Sequence, residues 1–484
     1  MTEYEGVIGL EVHAELMTES KMFCGCRVVD SVEAPPNTAV CPVCLGMPGM
    51  LPVINRRAVA FALRVALALN CEIQEHNVFA RKNYFYPDLP KGYQISQYEL
   101  PLGLNGWLEI TLDSGEQKRI GVRRVHMEED TGKLTHVDGL GSLVDYNRSG
   151  VPLLEIVSEP DLHSAAEVYA YATRLRQILR YLQVNSGDLE KGVLRVEPNI
   201  SVRPAGSEVL GTRTEVKNLN SFRALASATE YELQRQADLL RAGDDIVQET
   251  RGWHEGRRET FAQRSKEEAE DYRYFPEPDL PPLRVPASWV DAEREKQPEL
   301  PGARIRRYQE SFGLSAYDAT VLAEDRPVAE WYEAAVEAGG EPKTVANWVI
   351  NNLFALMNES GQSIEDLQLS PDGLVALLEL VEEETISHNT AKDVLVEMFE
   401  SGIGAREIVE NRGLAQISDE AALAQIVAEI LEDNPDQVAT YLSGKEQIKG
   451  WFVGQVMRVT RGKANPQLVN DLLTQELEAR RESG

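Results

Sequence analysis

The sequence of 484 residues carries 78 acidic and 49 basic side chains, which gives a formal net charge of -29. Such an excess of negative charge excludes a protein that coats nucleic acid with its whole surface, so any RNA contact must be local. No apolar run reaches the roughly 20 residues of a membrane span, and the acidic N-terminus does not resemble a secretory signal. We therefore expect a cytoplasmic protein without a membrane partner.

Strand signals come first along the chain. Residues 6–16 alternate between apolar and polar side chains, with Glu11 and His13 on the polar face. Residues 194–203 alternate in the same way. Pro198 lies within that stretch, and a proline is tolerated best on an edge strand, so we expect an edge position there.

Helices are predicted between these strands. Ser164 and Glu167 have the spacing of a capping box, which predicts a helix that continues to about Leu182. Ser221 is a second N-cap candidate, and the helix after it should end at Gly243. Strands and helices in this order favour an α+β domain around a mostly antiparallel sheet with one apolar and one polar face.

A proline-rich stretch at 276–301 predicts a domain boundary, and all later segments have helical patterns. We therefore expect three domains. They are an α+β domain at 1–295 with flanking helices, an all-α domain at 296–405, and a small all-α tail at 406–484.

Four of the five cysteines form a C-x-C and a C-x-x-C pair separated by fourteen residues. In a large intracellular chain, such spacing favours a tetrahedral zinc site, and four thiolate ligands leave no open position for catalysis. The alternative is a reduced loop without metal. The predicted structural zinc ligands are Cys24, Cys26, Cys41 and Cys44.

Two acidic groups suggest a second kind of metal site. Glu11 and His13 lie two residues apart on a strand, so their side chains share a face and could hold one divalent cation. The segment HMEEDTGK (126–133) adds clustered carboxylates, for which the alternative is a solvated acidic turn. The polar strand faces favour a hydrated binding surface, on which Mg²⁺ and basic side chains would hold phosphates. The strand residues expected there, together with Glu11 and His13, are Arg195, Glu197, Asn199, Arg213, Glu215 and Lys217.

Three further segments mix aromatic, charged and turn residues. They are 81–94, with two lysines, 145–161, which turns at Gly150, and 271–283. The first is typical of an ordered, non-helical loop near a site, with a packed aromatic turn as the alternative. The last repeats its mixture of residues, and the segment 145–161 presents polar side chains around its turn. The candidate residues are Lys82, Lys91, Asp145, Asn147, Arg148, Glu155 and Arg273.

Some catalytic motifs are missing from the sequence. It contains no P-loop, no G-x-G-x-x-G fingerprint and no Ser-Ser pair from which an amidase-type glutaminase could be built. Cys71 follows an Ala/Leu-rich helix without the surroundings of a nucleophile. If the protein uses ammonia, another protein must supply it.

A basic segment lies near the end of the chain, at 445–463. It holds five basic residues against Glu446, which is a net charge of +4 within a chain of -29. It is a candidate RNA-binding patch, and a solvated helix end is the alternative. The basic residues are Lys445, Lys449, Arg458, Arg461 and Lys463.

Six segments together resemble the B subunits of tRNA-dependent amidotransferases (GatB), and the resemblance covers nearly the whole chain. They are IGLEVHAEL, RKNYFYPDLPKGYQISQ, HMEEDTGK, DYNRSGVPLLEIVSEPD, EVKNLNSF and DYRYFPEPDL. The resemblance implies that residues 1–295 form a cradle-like catalytic domain with an antiparallel sheet, followed by the helical domain and the helical tail. It also implies a carbon–nitrogen ligase with glutamine as amido donor. Such an enzyme uses ATP to phosphorylate the side-chain carboxylate of Asp-tRNA(Asn) or Glu-tRNA(Gln), and then amidates it. The implied partners are the amidase (A) and small (C) subunits of a heterotrimer and the tRNA(Asn) or tRNA(Gln), and the aminoacyl-tRNA synthetase is a further candidate partner.

The resemblance also implies roles for particular residues. Glu11, His13 and Glu129 match the Mg²⁺-binding and catalytic group, with Glu128 beside them, and Lys82 and Lys91 match lysines near an ammonia channel. Asn218 joins the substrate- and ATP-binding candidates through EVKNLNSF. The sequence departs from the family at Glu197 and Pro198, where members commonly carry Asp and then Ala or Cys. The four cysteines occur in only some members.

Two other functions compete with this interpretation. The chain could be a tRNA-docking scaffold whose partner carries all the chemistry, but the clustered carboxylates argue against that. It could also be a zinc-dependent hydrolase, but four cysteine ligands leave no open position and no H-E-x-x-H motif is present.

Overall fold

The computed structural model describes residues 3–30, 32–137, 139, 141–265, 272–415, 420–460 and 464–482. The chain divides into two compact units, Met1–Ala303 and Arg304–Gly484. The first unit combines a large sheet with helices, and the second is helical throughout its described elements. This arrangement confirms the predicted α+β class.

The first unit contains four helices and sixteen strands among its described residues. The helices are α1 (Arg56–Ala68), α2 (Ala165–Tyr181), α3 (Phe222–Ala242) and α4 (Ala287–Arg294). The strands are β1 (Tyr4–Glu15), β2 (Glu72–Ile73), β3 (His76–Asn77), β4 (Phe79–Asn83), β5 (Tyr93–Gln97), β6 (Gly103–Thr111), β7 (Gln117–Glu129), β8 (Lys133–Val137), β9 (Gly141–Asp145), β10 (Pro152–Ser158), β11 (Leu194–Pro204), β12 (Thr214–Lys217), β13 (Glu249–His254), β14 (Glu259–Ser265), β15 (Phe275–Pro276) and β16 (Leu283–Arg284).

Nine strands form the main sheet in the order β14-β13-β12-β11-β1-β10-β7-β6-β2. Every neighbouring pair is antiparallel except β12 and β13. β1 lies near the middle, and its apolar residues Leu10, Val12 and Ala14 are at most 1% exposed. Because side chains alternate along a strand, Glu11 and His13 point to the opposite face of the sheet.

The predicted helix boundaries are confirmed. The hydroxyl of Ser164 accepts from the Glu167 amide at the start of α2. Ser221 caps α3, which ends at Gly243 with a φ of 86°. In the left-handed region a glycine carries no side-chain penalty, which is why this residue ends the helix well.

The edge position expected for Pro198 is wrong. β11 lies between β1 and β12, and Pro198 is the partner of Leu10. The Leu10 amide donates to the Ser158 hydroxyl on the β10 side, so the Pro198 nitrogen is directed towards β12. β12 pairs with β11 only at Asn199 and Ile200, and the absent amide hydrogen therefore breaks no ladder bond.

The second unit has two hydrophobic cores. One gathers side chains from Tyr308 to Val409, and the other gathers side chains from Leu423 to Leu477. The helices from residue 301 onward are α5 (Pro301–Phe312), α6 (Ala316–Leu322), α7 (Arg326–Glu337), α8 (Pro342–Trp348), α9 (Phe354–Ser360), α10 (Pro371–Glu382), α11 (His388–Ser401), α12 (Ala405–Arg412), α13 (Glu420–Asp433), α14 (Pro435–Leu442), α15 (Lys449–Val459) and α16 (Pro466–Glu482). α12 contributes Ile408 and Val409 to the first core, so it packs with the helices before it.

Candidate active site

Four polar residues from four strands form one row across the main sheet. His126 on β7 is the partner of Glu155 on β10, Glu155 is the partner of His13 on β1, and His13 is the partner of Arg195 on β11. Residues in register across a sheet project to the same face, which here is the face opposite the core. The fold therefore brings together polar groups that lie far apart in the sequence.

This face forms the floor of a cavity of about 550 Å³. Ten of the candidate residues from the sequence line it. They are Glu11, His13, Lys82, Glu128, Arg148, Glu155, Arg195, Asn199, Glu215 and Lys217.

The first acidic group in the cavity consists of His13, Glu128 and Glu155, which offer ligand atoms within 4.8 Å of one another. Nε2 of His13 lies 3.4 Å from Glu155 and 3.6 Å from Glu128. Nε2 of His126 lies 3.3 Å from the same oxygen of Glu155. Two histidines and two carboxylates thus converge on one point of the floor.

The second acidic group consists of Glu11, Glu197 and Glu215, whose carboxylates also come within 4.8 Å of one another. Nζ of Lys217 lies 2.8 Å from Glu197 and 3.2 Å from Glu215. The Asn199 side-chain amide donates to Glu11 at 3.2 Å. The site therefore holds two adjacent carboxylate groups, and the second is partly neutralised by one lysine.

The pKa values reflect this crowding of charge. Burial raises the pKa of Glu11, and the charges of Glu155 and Glu215 raise it further. Burial also raises the pKa of Glu128, with Glu155 as the next cause. For His13, burial opposes the charged form, but the hydrogen bond to Glu155 and the charges of Glu155 and Glu128 outweigh it and raise the pKa to about 9. A cation bound among these groups would relieve the repulsion.

Divalent cations fit both groups chemically. Carboxylate oxygens are the ligands that Mg²⁺ prefers, whereas a neutral imidazole suits softer divalent cations such as Zn²⁺. Among the described residues, Nδ1 of His13 and Nδ1 of His126 are buried without a hydrogen-bond partner. Buried polar atoms normally have partners, but both rings turn Nε2 rather than Nδ1 towards the carboxylates, so the fit to a cation rests on the converging carboxylates themselves.

Basic residues form another part of the cavity wall. Arg195 donates to Asp130 at 2.8 Å, and the guanidinium of Arg148 lies 3.8 Å from the same carboxylate. Burial opposes ionisation of Asp130, but the charges of Arg195 and Arg148 hold its pKa below the usual range. Burial likewise opposes the charge of Lys82, but Glu128 and other anionic neighbours keep its pKa above the ordinary value. Lys82 and Arg195, whose pKa values are both raised, therefore stay charged beside the carboxylate groups.

Glu129 does not lie with Glu11 and His13, which corrects the expected triad. It follows Glu128 on β7, and adjacent strand residues point to opposite faces. Its carboxylate pairs with Lys91 and accepts from the Ile95 amide at 3.0 Å. Glu129 and Lys91 line a separate cavity of about 210 Å³.

Four other candidates have positions outside the main cavity. The Asp145 carboxylate accepts from the Asn37 amide at 2.9 Å, and the Asn147 side chain bonds Ala39 and Pro35. These two residues therefore fix the segment that leads to the second cysteine pair, which corrects their expected place among the ligand-binding side chains.

The remaining two are Asn218 and Arg273. Asn218 lines a neighbouring cavity of about 300 Å³ that also contains Arg148 and Arg195. Arg273 is exposed in the loop that carries Tyr272 and Tyr274 into the main cavity.

The four predicted cysteines converge, with their sulfurs within 4.8 Å of one another. Sγ of Cys41 and Sγ of Cys44 are 3.9 Å apart, close to the roughly 3.8 Å expected when Zn–S bonds of about 2.3 Å meet at a tetrahedral metal. Nζ of the fully buried Lys21 lies 3.8 Å from Sγ of Cys44. A hydrogen bond from Cys24 lowers the pKa of Cys44 to about 4. The arrangement fits a tetrahedral thiophilic metal.

Several residues that line the cavity are not among the candidate site residues predicted from the sequence. Glu197 was expected on the polar surface but was not assigned a role in the site, and His126, Asp130 and Arg124 were not chosen, although all four line the cavity. The alternation along 194–203 already placed Glu197 on the polar face. What the sequence lacked was the strand order, which sets β7, β10, β1 and β11 side by side.

The tail candidates lie on or next to α15 in the second unit. Lys449 begins this helix and donates to the Thr474 hydroxyl of α16 at 3.0 Å. Lys445 and Arg458 are exposed. Arg461 and Lys463 lie outside the described residues.

Among the described residues, no helix combines the length and the apolar character that a membrane span requires.

Residues 6–291 match the family described as the GatB/GatE catalytic domain, and residues 330–477 match the GatB domain.

Individual relatives are similar over nearly their whole length. The B subunit of the aspartyl/glutamyl-tRNA(Asn/Gln) amidotransferase of Moorella thermoacetica is 56% identical, over 98% of this chain and 100% of its own. That of Thermodesulfovibrio yellowstonii is 52% identical, over 97% of this chain and 98% of its own. That of a Synechococcus strain is 50% identical, over 98% of each chain.

The antiparallel sheet with its carboxylate-lined cavity is thus a catalytic domain of the GatB/GatE type. The chain as a whole belongs to the family of aspartyl/glutamyl-tRNA(Asn/Gln) amidotransferase B subunits. This membership confirms the family resemblance and the predicted enzyme class, a ligase that forms a carbon–nitrogen bond.

Proposed function

We propose that the cavity on the main sheet uses ATP to activate the side-chain carboxylate of Asp or Glu on a mischarged tRNA, and that ammonia then converts it to Asn or Gln. One observation carries the proposal. Two carboxylate groups, one built around His13 and the other around Glu11, share a single cavity with Lys82, Arg148 and Arg195. Cation ligands beside fixed basic side chains suit the binding of a nucleoside triphosphate and a carboxylate together.

The chemistry requires activation because a carboxylate is a poor electrophile. Transfer of the γ-phosphoryl group of ATP to a carboxylate oxygen forms an acyl phosphate and releases ADP. Ammonia then attacks the acyl carbon, loses one proton and displaces phosphate, which leaves the amide. The protein accelerates these steps mainly by alignment of the two substrates and by charge stabilisation.

Mg²⁺ would be held by Glu11, Glu197 and Glu215 or by His13, Glu128 and Glu155, and it would offset the charge of the phosphates. Lys82 stays charged beside Glu128 and is placed to contact an anionic oxygen in the cavity. Arg195 is fixed by its hydrogen bond to Asp130, and Arg148 is fixed because it donates to the Thr131 and Gly132 carbonyls at 3.0 Å. Both residues therefore present guanidinium groups whose orientation does not need to change on binding.

Ammonia would come from a partner glutaminase. Burial raises the pKa of the isolated Cys71 thiol to about 12, so this cysteine is not an activated nucleophile. The other four cysteines converge on one point that fits structural Zn²⁺. The heterotrimer that we propose joins this chain to the amidase (A) and small (C) components and binds tRNA(Asn) or tRNA(Gln), with the aminoacyl-tRNA synthetase as a further candidate partner.

The test is ATP turnover by the reconstituted complex in the presence of mischarged tRNA. Glu11→Gln keeps the size of the side chain but removes the charge from the second carboxylate group, so it should lower tRNA-dependent ATP turnover by roughly a hundredfold or more. Glu116→Gln, at an exposed position in the turn between β6 and β7, is the matched control and should retain the wild-type rate.

Wild-type ATP turnover in the Glu11→Gln complex would contradict the proposed site. A wild-type complex that amidates tRNA while ATP turnover depends only on the partner proteins would identify this chain as a docking scaffold.

A further inference from the structure

One rim of the main cavity is aromatic. Tyr84, Tyr98, Tyr272 and Tyr274 all line it, and we call them the aromatic platform. The rings of Tyr98 and Tyr274 are stacked, with centroids 4.1 Å apart and planes 7° from parallel. Tyr272 meets both Tyr84 and Tyr274 edge-on, with centroids 6.0 Å apart in each pair. The four rings therefore form one continuous group beside the charged floor.

One ring of the platform, that of Tyr98, is more exposed than core packing would require, and the other three rings are half-buried. Tyr98 is 46% exposed although it directly follows the buried residues of β5. Tyrosine side chains that serve only to fill a core are mostly covered, as Tyr171 and Tyr308 are in this protein. An exposed aromatic face at the mouth of a polar cavity needs another explanation.

The chain keeps a disfavoured backbone conformation at this rim. Arg273 has a φ of 44°, a region that residues other than glycine seldom occupy. Asn83 holds it there, because its backbone amide donates to the Tyr272 carbonyl at 2.9 Å and its side chain donates to the Arg273 carbonyl at 2.9 Å. Backbone strain of this kind is typical of functional sites, and here it places Tyr272 and Tyr274 together.

The charged side chains next to the aromatic platform indicate which kind of ligand the platform could bind. Nζ of Lys82 lies 4.8 Å from the centroid of the Tyr272 ring and faces the same cavity as Glu128. The cavity thus joins a flat aromatic surface to cations and to groups that can hold a divalent metal. A molecule with a flat π-system at one end and phosphates at the other is complementary to both parts.

We propose that the aromatic platform stacks a purine base, with Tyr98 and Tyr274 as base-positioning residues. The inference rests on the proposed function, which brings two purines to this cavity: the adenine of ATP and the terminal adenine of the tRNA. Stacking on tyrosine would tolerate either base, because every base presents a π-face. The experiment distinguishes the two sources.

The experiment uses the reconstituted complex with Tyr98→Leu and Tyr274→Leu, which remove the ring but keep an apolar side chain, and with Tyr98→Phe, which keeps the ring. Tyr169→Leu is the matched control, because Tyr169 is 47% exposed and lies on α2, outside the cavity. Thermal unfolding of every variant shows that it is folded. Equilibrium binding of ATP is compared with that of inorganic tripolyphosphate, which has the phosphates but no base.

If the adenine of ATP is the ligand, the two leucine variants should bind ATP roughly 5- to 150-fold more weakly, while tripolyphosphate binding stays unchanged. If the terminal adenine of the tRNA is the ligand, ATP binding should stay unchanged and the KM for aminoacyl-tRNA should rise. In that case, uncharged tRNA that lacks its last nucleotide should bind wild type and variants equally. In both cases Tyr98→Phe should restore the wild-type value.

Leucine variants that bind ATP and tRNA as wild type does would overturn the proposal. So would an equal loss for ATP and tripolyphosphate, because that loss would not depend on a base. The binding measurements do not require catalysis. A wild-type complex without tRNA-dependent ATP turnover would therefore refute the proposed function, and the binding of ATP and tripolyphosphate would still decide whether a base stacks on the platform.

Discussion

Glu128 and Glu129 are neighbours on β7, but they belong to different regions of the protein. Glu128 faces the main cavity, where it lies 3.6 Å from His13 and shares a candidate cation site with Glu155. Glu129 faces the other side, where it is paired with Lys91 next to the cysteine cluster. Two residues of one acidic motif can therefore have different chemistry, because the pleat of a strand separates them.

The largest expected effect tests this separation directly. Glu128→Gln removes one charge from the first carboxylate group, so amidation and tRNA-dependent ATP turnover should fall by roughly two orders of magnitude or more. Glu129→Gln instead leaves the charge of Lys91 buried without its partner. It should lower the free energy of unfolding by roughly 3 kcal/mol while the folded protein keeps most of its ATP turnover.

Both variants are measured by ATP turnover in the reconstituted complex and by denaturant unfolding of the isolated chain. The comparison fails if Glu129→Gln abolishes ATP turnover as completely as Glu128→Gln does while the chain remains stable. That outcome would place Glu129 in the catalytic group after all.

A second test addresses the cysteine cluster on the Glu129 side. We expect wild-type protein to contain about one Zn²⁺ per chain, and Cys41→Ser to contain little, because it removes one of four converging thiols. Cys71→Ser is the control, since Cys71 is a buried thiol outside the cluster and its loss should leave the zinc in place. Elemental analysis of the purified proteins measures this, and wild-type protein free of zinc would reject the site.

The smallest expected effect concerns the exposed basic residues beside and within α15. Replacement of both Lys445 and Arg458 by glutamine should raise the KM for aminoacyl-tRNA at low salt. It should also make the plot of log KM against log salt shallower by about 0.7–0.9 for each phosphate that is no longer neutralised. Measurements at two or more salt concentrations give this slope. An unchanged slope would show that these residues do not contact the tRNA.

The matched control replaces Lys343 and Lys392, which are exposed lysines on other helices of the second unit, and it should leave the slope unchanged.

A truncation that tests the whole tail should begin at residue 420 rather than 406. Ile408, Val409 and Leu414 pack in or against the first helical core, and their removal would confuse a binding effect with a folding effect.

Much of this structure was accessible from the sequence because it depends on local patterns. Alternation along residues 6–16 predicted which face of β1 carries Glu11 and His13, and the Ser164 and Ser221 caps predicted where two helices begin. The spacing of the cysteines predicted that their sulfurs meet. In each of these cases the relevant residues lie close together in the chain.

The composition of the first acidic group was less accessible, because it depends on strand order and register. The triad with Glu129 followed a motif and ignored the alternation along β7, which sends Glu128 to the cavity instead. Glu155 reaches His13 only because β10 lies between β1 and β7, and no local sequence pattern predicts that order of strands. The roles of Asp145 and Asn147 were missed for the same reason, since their partners lie over 100 residues away.

The central position of β1 limits how this protein can change over evolution. β1 is paired along eleven residues with β11 and along five with β10. Insertion or deletion of a single residue in β1 would exchange its two faces, so that Leu10 and Val12 entered the cavity and Glu11 and His13 entered the core. Length variation among related chains should therefore avoid β1 and collect in exposed turns such as residues 113–116.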